Sequence, residues 1–143
     1  MSSRLNPYLS FTDTARPAME FYADVFGGEL TLNTFGEFGN NGPEKDLVMH
    51  AMLETSAGYT IMAADMPPGM DRQVGNNISM SLSGDDETQL RGYWDRLSEG
   101  GQVAVPLEKQ MWGDTFGQCT DQFGISWMVN IAGDGSAPPQ QAQ

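Results

Sequence analysis

Hydrophobic and polar positions alternate along most of this chain, and the alternation changes period in a regular way. From Leu5 to Thr12 the period is two: Leu9 and Phe11 fall on one face, Asn6, Tyr8 and Ser10 on the other, which predicts a strand. Pro7 lacks an amide donor and suits the start of such a strand or a sheet edge. The period then becomes helical. Ala15, Ala18, Met19, Tyr22, Val25 and Phe26 form one apolar stripe, with Thr14 as the expected N-cap and Gly27-Gly28 as the stop. Glu29 to Phe35 is a second strand. Gly36 to Asp46 is a polar, Gly- and Asn-rich loop expected to be mobile. In Leu47 to Thr55 the residues Leu47, Met49, Ala51 and Leu53 alternate with Val48, His50, Met52 and Glu54, and after Ser56-Ala57-Gly58 a fourth strand runs from Tyr59 to Ala64.

Met66 to Asn76 carries two prolines, two glycines and no periodicity, and beyond it the pattern begins again. Asn77 to Ser83 is a strand. A helix follows, with Leu90, Tyr93, Trp94 and Leu97 on its stripe, Asp86 and Gln89 as a capping box, and Gly100-Gly101 as its stop. Strands at Gln102–Leu107, Asp114–Thr120 and Ile125–Ile131 complete the set, with Asp121 and Gly124 in the last turn. The order strand-helix-strand-strand-strand therefore occurs twice. Asn6 matches Asn77 (77 − 6 = 71) and Gly27 matches Gly100 (100 − 27 = 73). The expected organisation is a first βαβββ module over 1–65, a linker over 66–76, a second module over 77–132 and a disordered tail over 133–143.

Composition narrows the partners. The net charge is −12, from 19 acidic and 7 basic residues. The basic residues are scattered, so no footprint for nucleic acid exists, and an acidic surface also disfavours anionic membranes. A chain of 143 residues buries enough surface to fold without cross-links. Cys119 is the single cysteine, which removes any internal disulfide. No apolar leader and no membrane-length run is present, so a soluble cytoplasmic protein is expected. Ten methionines are many for this length and suit adaptable cores or pockets.

The stretch WGDTFGQCTDQFGISWMVNI, from Trp112 to Ile131, resembles the closing hairpin of the vicinal oxygen chelate superfamily, in particular its PhnB-like branch. That superfamily includes glyoxalases, bleomycin-resistance proteins and extradiol dioxygenases. NPYLSFTDTARPAMEFYADVFGGEL is similar to the branch's opening, and NNISMSLSGDDE supports it, so the similarity runs from about Asn6 to Ile131. The resemblance implies an α+β fold in which two βαβββ modules form a cupped mixed sheet with the helices outside. It also implies a homodimer and a ligand or metal on the concave side.

In metal-dependent members, four ligands come from the first and last strand of each module as His or Glu. Strand phase puts Asn6, Met62, Asn77 and Met128 at those positions here. Amides and thioethers suit neither zinc, iron, nickel nor magnesium, so no metal and no cofactor is expected. The branch often carries a demethylubiquinone methyltransferase label, but the chain has no glycine-rich strand-to-helix nucleotide loop.

Other candidates are sparse. His50 and Glu54 share a strand face but stand roughly 13 Å apart at about 3.3 Å per residue, too far to chelate together. The bland reading of His50 is a histidine hydrogen-bonded on a sheet. Cys119 is expected to be a small packed residue, and Asp85-Asp86-Glu87 a helix start. The expected ligand wall is Asn6, Tyr8, Ser10, His50, Met52, Thr60, Met62, Asn77, Ser79, Trp112 and Met128, with Trp112 either capping the cup or plugging a core. The favoured function is a metal-free small-molecule-binding protein that sequesters or carries a hydrophobic or aromatic compound and so confers drug tolerance. The alternatives are a metal-dependent lyase, isomerase or dioxygenase using His50, and a structural protein whose cup is filled by its own side chains.

Overall fold

The computed structural model describes residues 3–67, 69–70 and 72–133. The predicted disordered tail lies, from residue 134 onward, outside the described residues. Two compact units divide the chain between Val74 and Gly75, and both are α+β.

The first unit runs β1 (Tyr8–Phe11), α1 (Ala15–Phe26), β2 (Glu29–Thr34), a 3-10 turn (Gly36–Phe38), β3 (Val48–Glu54) and β4 (Thr60–Asp65). Its sheet order is β1-β4-β3-β2, with β1 parallel to β4 and the other pairs antiparallel. The second unit repeats this with β5 (Met80–Gly84), α2 (Glu87–Ser98), β6 (Gln102–Lys109), β7 (Thr115–Thr120) and β8 (Ser126–Ile131), in the order β5-β8-β7-β6.

Each helix covers one face of its own sheet through the stripe that the spacing predicts. Ala15, Ala18, Met19, Tyr22, Val25 and Phe26 are buried with Phe11, Ala51, Leu53, Ile61 and Ala63. In the second unit Leu90, Tyr93, Trp94 and Leu97 are buried with Leu82, Cys119, Trp127, Val129 and Ile131. Burying a side chain such as Met19 or Leu97 stabilises by about 1.5–3 kcal/mol, so the stripes decide which sheet face is covered. The other face of each sheet is not covered by the described helix of its own unit and carries the candidate site.

Four expectations are corrected. Both first strands start later than the alternation suggests, at Tyr8 and Met80, leaving Asn6 and Asn77 ahead of them. In β3 the core phase breaks, because Asn33 pairs with His50 while Thr34 pairs with Val48. The unpaired Met49 is a bulge, and it turns Val48, rather than Leu47 and Met49, into the core. Thr14 sits at the N-cap of α1 but makes no side-chain capping bond. Asp65 supplies it instead: Oδ1 accepts from Ala15 N at 2.9 Å, and Oδ2 accepts from Val48 N at 2.9 Å. In α2 the expected cap does form, Gln89 N donating to Asp86 Oδ1 at 3.0 Å.

The fourth correction concerns the repeat. Met66 N bonds to Phe11 O, and Ala132 N bonds to Gly84 O, so Phe11 and Gly84 are equivalent (84 − 11 = 73). Asn6 therefore matches Ser79, not Asn77. Strands β3 and β4 map onto β7 and β8 with an offset of 66, since Met52 pairs with Met62 as Gln118 pairs with Met128 (118 − 52 = 66). The drop from 73 to 66 reflects the longer β2–β3 connection. That loop has a bonded neck, with Phe35 N donating to Leu47 O and Gly36 N to Lys45 O.

Candidate functional site on the open sheet faces

Residues paired across neighbouring strands project to the same side of a sheet. In the first unit one such row crosses all four strands: Tyr8 beside Met62, Met62 beside Met52, Met52 beside Thr31. One step along, His50 lies beside Asn33 and Ser10 beside Ala64; one step the other way, Thr60 lies beside Glu54. Met52, Met62, Thr60 and His50 are half-buried, whereas Tyr8 and Ser10 are exposed. Tyr8 Oη and His50 Nδ1 are 3.3 Å apart, with ring centroids 5.9 Å apart and planes tilted by 38°. Asn6 is half-buried just ahead of β1, next to Pro7, whose carbonyl accepts from Met62 N.

The corresponding row in the second unit is Ser81, Met128, Gln118 and Val105. Beside it Ser79 Oγ and Ser126 Oγ are 2.7 Å apart, and Gln118 Nε2 donates to Ser126 Oγ at 3.4 Å. On this face the hydroxyl and amide groups are therefore bonded to one another around Ser126. Asn77 is exposed in a bend outside the strand. Trp112 sits in the turn between β6 and β7, 39% exposed, so it does not plug the core of its unit. Gln118, Ser126, Thr31 and Asn33 join these faces although the sequence singled out none of them. Alternation from Met52 and Met128 reaches them once the pairing partners are known.

The ionisable groups beneath the faces are structural. Asp121 accepts from Phe123 N and Ile125 N in the closing turn, and from Trp127 Nε1 at 2.8 Å, which anchors β8. Asp114 accepts from Asn130 Nδ2 at 3.0 Å and Gly133 N at 2.9 Å. The Asn130 bond first, then the Gly133 bond, holds its carboxyl below the usual range against the opposing effect of burial. Burial, with a smaller contribution from the Asp121 charge, pushes the Cys119 thiol up to about 11. Cys119 is therefore a protonated core group and no nucleophile at neutral pH.

The resemblance implies metal-ligand positions at Asn6, Met62, Asn77 and Met128, and aligning the repeat by register puts Ser79 in place of Asn77 as the counterpart of Asn6. An amide, a hydroxyl and two thioethers do not fit a zinc, iron or magnesium ion. Among the described residues no three His, Cys, Asp or Glu side chains come together to hold one elsewhere. No described helix is long and apolar enough to cross a membrane.

A duplicated βαβββ unit with both closing hairpins in register is the pattern of one superfamily, and the sequence agrees. The model of the Glyoxalase/Bleomycin resistance protein/Dioxygenase superfamily matches residues 4–129, and the chain belongs to that superfamily. Protein YjdN of Escherichia coli strain K12 is 25% identical to it over 140 residues, spanning 89% of this chain and 94% of that protein. An uncharacterized protein of Mycobacterium bovis is 30% identical over 135 residues, spanning 87% of this chain and 80% of its own. Among solved structures, protein PA1353 from Pseudomonas aeruginosa superposes with a TM-score of 0.83 at 34% identity, over 93% of this chain and 100% of that one. The PhnB protein from Bacillus cereus superposes with a TM-score of 0.75 at 22% identity, over 91% and 100%, and that likeness speaks for the fold alone.

Proposed function

We propose that this chain is a metal-free small-molecule-binding member of its superfamily, which sequesters or carries a hydrophobic or aromatic compound and acts as a homodimer. One observation carries the reading: the open face of the first sheet is a row of Tyr8, Met62 and Met52 with His50 alongside. The thioethers and the aromatic ring form a deformable apolar strip bordered by Ser10, Thr31, Asn33 and Thr60, and apolar surface with polar groups at its margin is the usual lining of a small-molecule site. The donor set at the ligand positions supports the same reading, because it offers a metal no charged or imidazole group. Tolerance to a toxic compound would follow from sequestration alone, without turnover.

Native mass spectrometry of the untagged protein, purified without chelator, tests the metal and the assembly together. The expected spectrum is a dimer without metal. A stoichiometric zinc, nickel or iron adduct that survives buffer exchange would falsify the proposal. Titration with the neutral dye N-phenyl-1-naphthylamine tests the apolar face. Its fluorescence should saturate, and Met62→Glu should weaken binding by tenfold or more, since about 1.4 kcal/mol is one decade in affinity.

A further inference from the structure

We propose that Tyr8 and His50 jointly select the bound compound, and that it is a neutral aromatic hydroxyl compound, a phenol in the broad sense. The inference rests on the apolar-site reading above and adds the chemistry of the ligand. With the imidazole neutral, the pair holds two hydrogens able to form hydrogen bonds, the Tyr8 O–H and one ring N–H. Their mutual bond, Tyr8 Oη to His50 Nδ1 at 3.3 Å, uses one of them. If Tyr8 donates to Nδ1, the Nε2–H is left as donor and the Tyr8 oxygen as acceptor. If Nδ1–H donates to Tyr8, the phenolic O–H is left as donor and Nε2 as acceptor. Either tautomer presents one donor and one acceptor.

A ligand hydroxyl matches that pair with a single atom, because it both donates and accepts. A bare hydrocarbon ring satisfies neither group and dries them out, which costs free energy. A carboxylate accepts but cannot donate, and it brings charge to a chain of net −12. Glu54 is carried on the same strand, β3, four residues from His50. A ring seated over Met62 and Met52 gives the hydroxyl compound its contact area.

The second unit shows that the pair is not there to build the sheet. By the offsets of 73 and 66, Tyr8 corresponds to Ser81 and His50 to Phe116, and the second unit forms the same four-stranded order with those residues. Tyr8 is 51% exposed, so its ring adds little to a core. The bond between the two side chains is long enough to yield to a competing hydroxyl.

Three probes separate the possibilities: 2-naphthol, naphthalene and 2-naphthoate, followed by fluorescence titration against the full chain. Wild-type protein should bind 2-naphthol about tenfold or more tighter than naphthalene, the effect of one to two hydrogen bonds, and tighter than 2-naphthoate. In Tyr8→Phe/His50→Phe the preference over naphthalene should vanish while naphthalene still binds. Retained naphthalene binding also reports that the variant is folded. Tyr8→Phe alone, which keeps the ring, is the second variant and should lose most of the preference. Equal binding of 2-naphthol and naphthalene, tighter binding of 2-naphthoate, or a preference that survives the double substitution would overturn this inference and leave the proposed function standing. Failure of all three probes to bind would overturn both.

Discussion

Asp65 joins two parts of the first unit that are far apart in the chain. Its two oxygens accept from Ala15 N at the start of α1 and from Val48 N at the start of β3, and the side chain is buried. Removing it leaves two N–H groups without their acceptor. Asp65→Ala is expected to destabilise the protein by about 2–4 kcal/mol, given about 1–3 kcal/mol for a buried group left unsatisfied. Asp65→Asn keeps one acceptor oxygen and should lose roughly half as much. Urea midpoints of the three proteins check this, and equal midpoints would mean that water replaces the carboxylate. The role was invisible in the sequence, where Thr14 stands in the expected capping position. Fifty residues separate Asp65 from the amide it caps, and no local spacing reports a bond of that range. Asp86, three residues from its partner, was legible for the opposite reason.

At the scale of elements, the two helix exits are built alike. A Cβ on Gly28 would stand 2.1 Å from Glu54 O, and one on Gly101 would stand 2.1 Å from Thr120 O. Each glycine lets the chain leaving its helix pass directly over the end of the neighbouring hairpin. Gly28 also has φ +107°, so alanine there adds backbone strain to the collision. Gly28→Ala is expected to cost at least about 2 kcal/mol, the range of a strained non-glycine residue, and Gly101→Ala less, from the contact alone. Thermal or urea unfolding of both variants gives the order, and a reversed order would place the cost in the contact rather than the dihedral. The sequence marked both glycine pairs as helix stops, and both helix stripes came through residue for residue, because helical spacing is a local property. Strand phase is not. Asn77 looked like the partner of Asn6, yet the parallel pairing of β5 with β8 makes that partner Ser79. Met49 read as core until the bulge in β3 displaced it. Register depends on strands distant in sequence, so the rows that form the open faces required the structure.

For the molecule as a whole, acidity is the condition most worth varying, since 19 acidic residues face 7 basic ones. Among these carboxylates Asp114 has a folded-state value below its unfolded one, through Asn130 and then Gly133. The sign follows from linkage: its contribution is fully present above the unfolded carboxylate value and is lost as pH falls through the lower, folded value. Asp114→Asn should therefore lower the melting temperature at pH 7, and the gap to wild type should narrow as the pH is taken down through the acid range. A gap that stays constant with pH would assign Asp114 a packing role only.

The parallel pairing that closes each sheet also governs the order in which the chain can be completed as it is made. Tyr8 finds its strand partner at Met62 (62 − 8 = 54 residues later), and Ser81 finds its own at Met128. A nascent chain therefore carries β1 without a neighbour until β4 has left the ribosome, and the fourth strand, not the first, decides when a module is whole. Once Asp65 has emerged, every strand pair of the first sheet is available before β5 has emerged in turn. Duplication gives synthesis a natural halfway stage, and the close approach of Gly28 to Glu54 and Thr55, which leaves no room for a Cβ, is a demand that falls entirely within that first half.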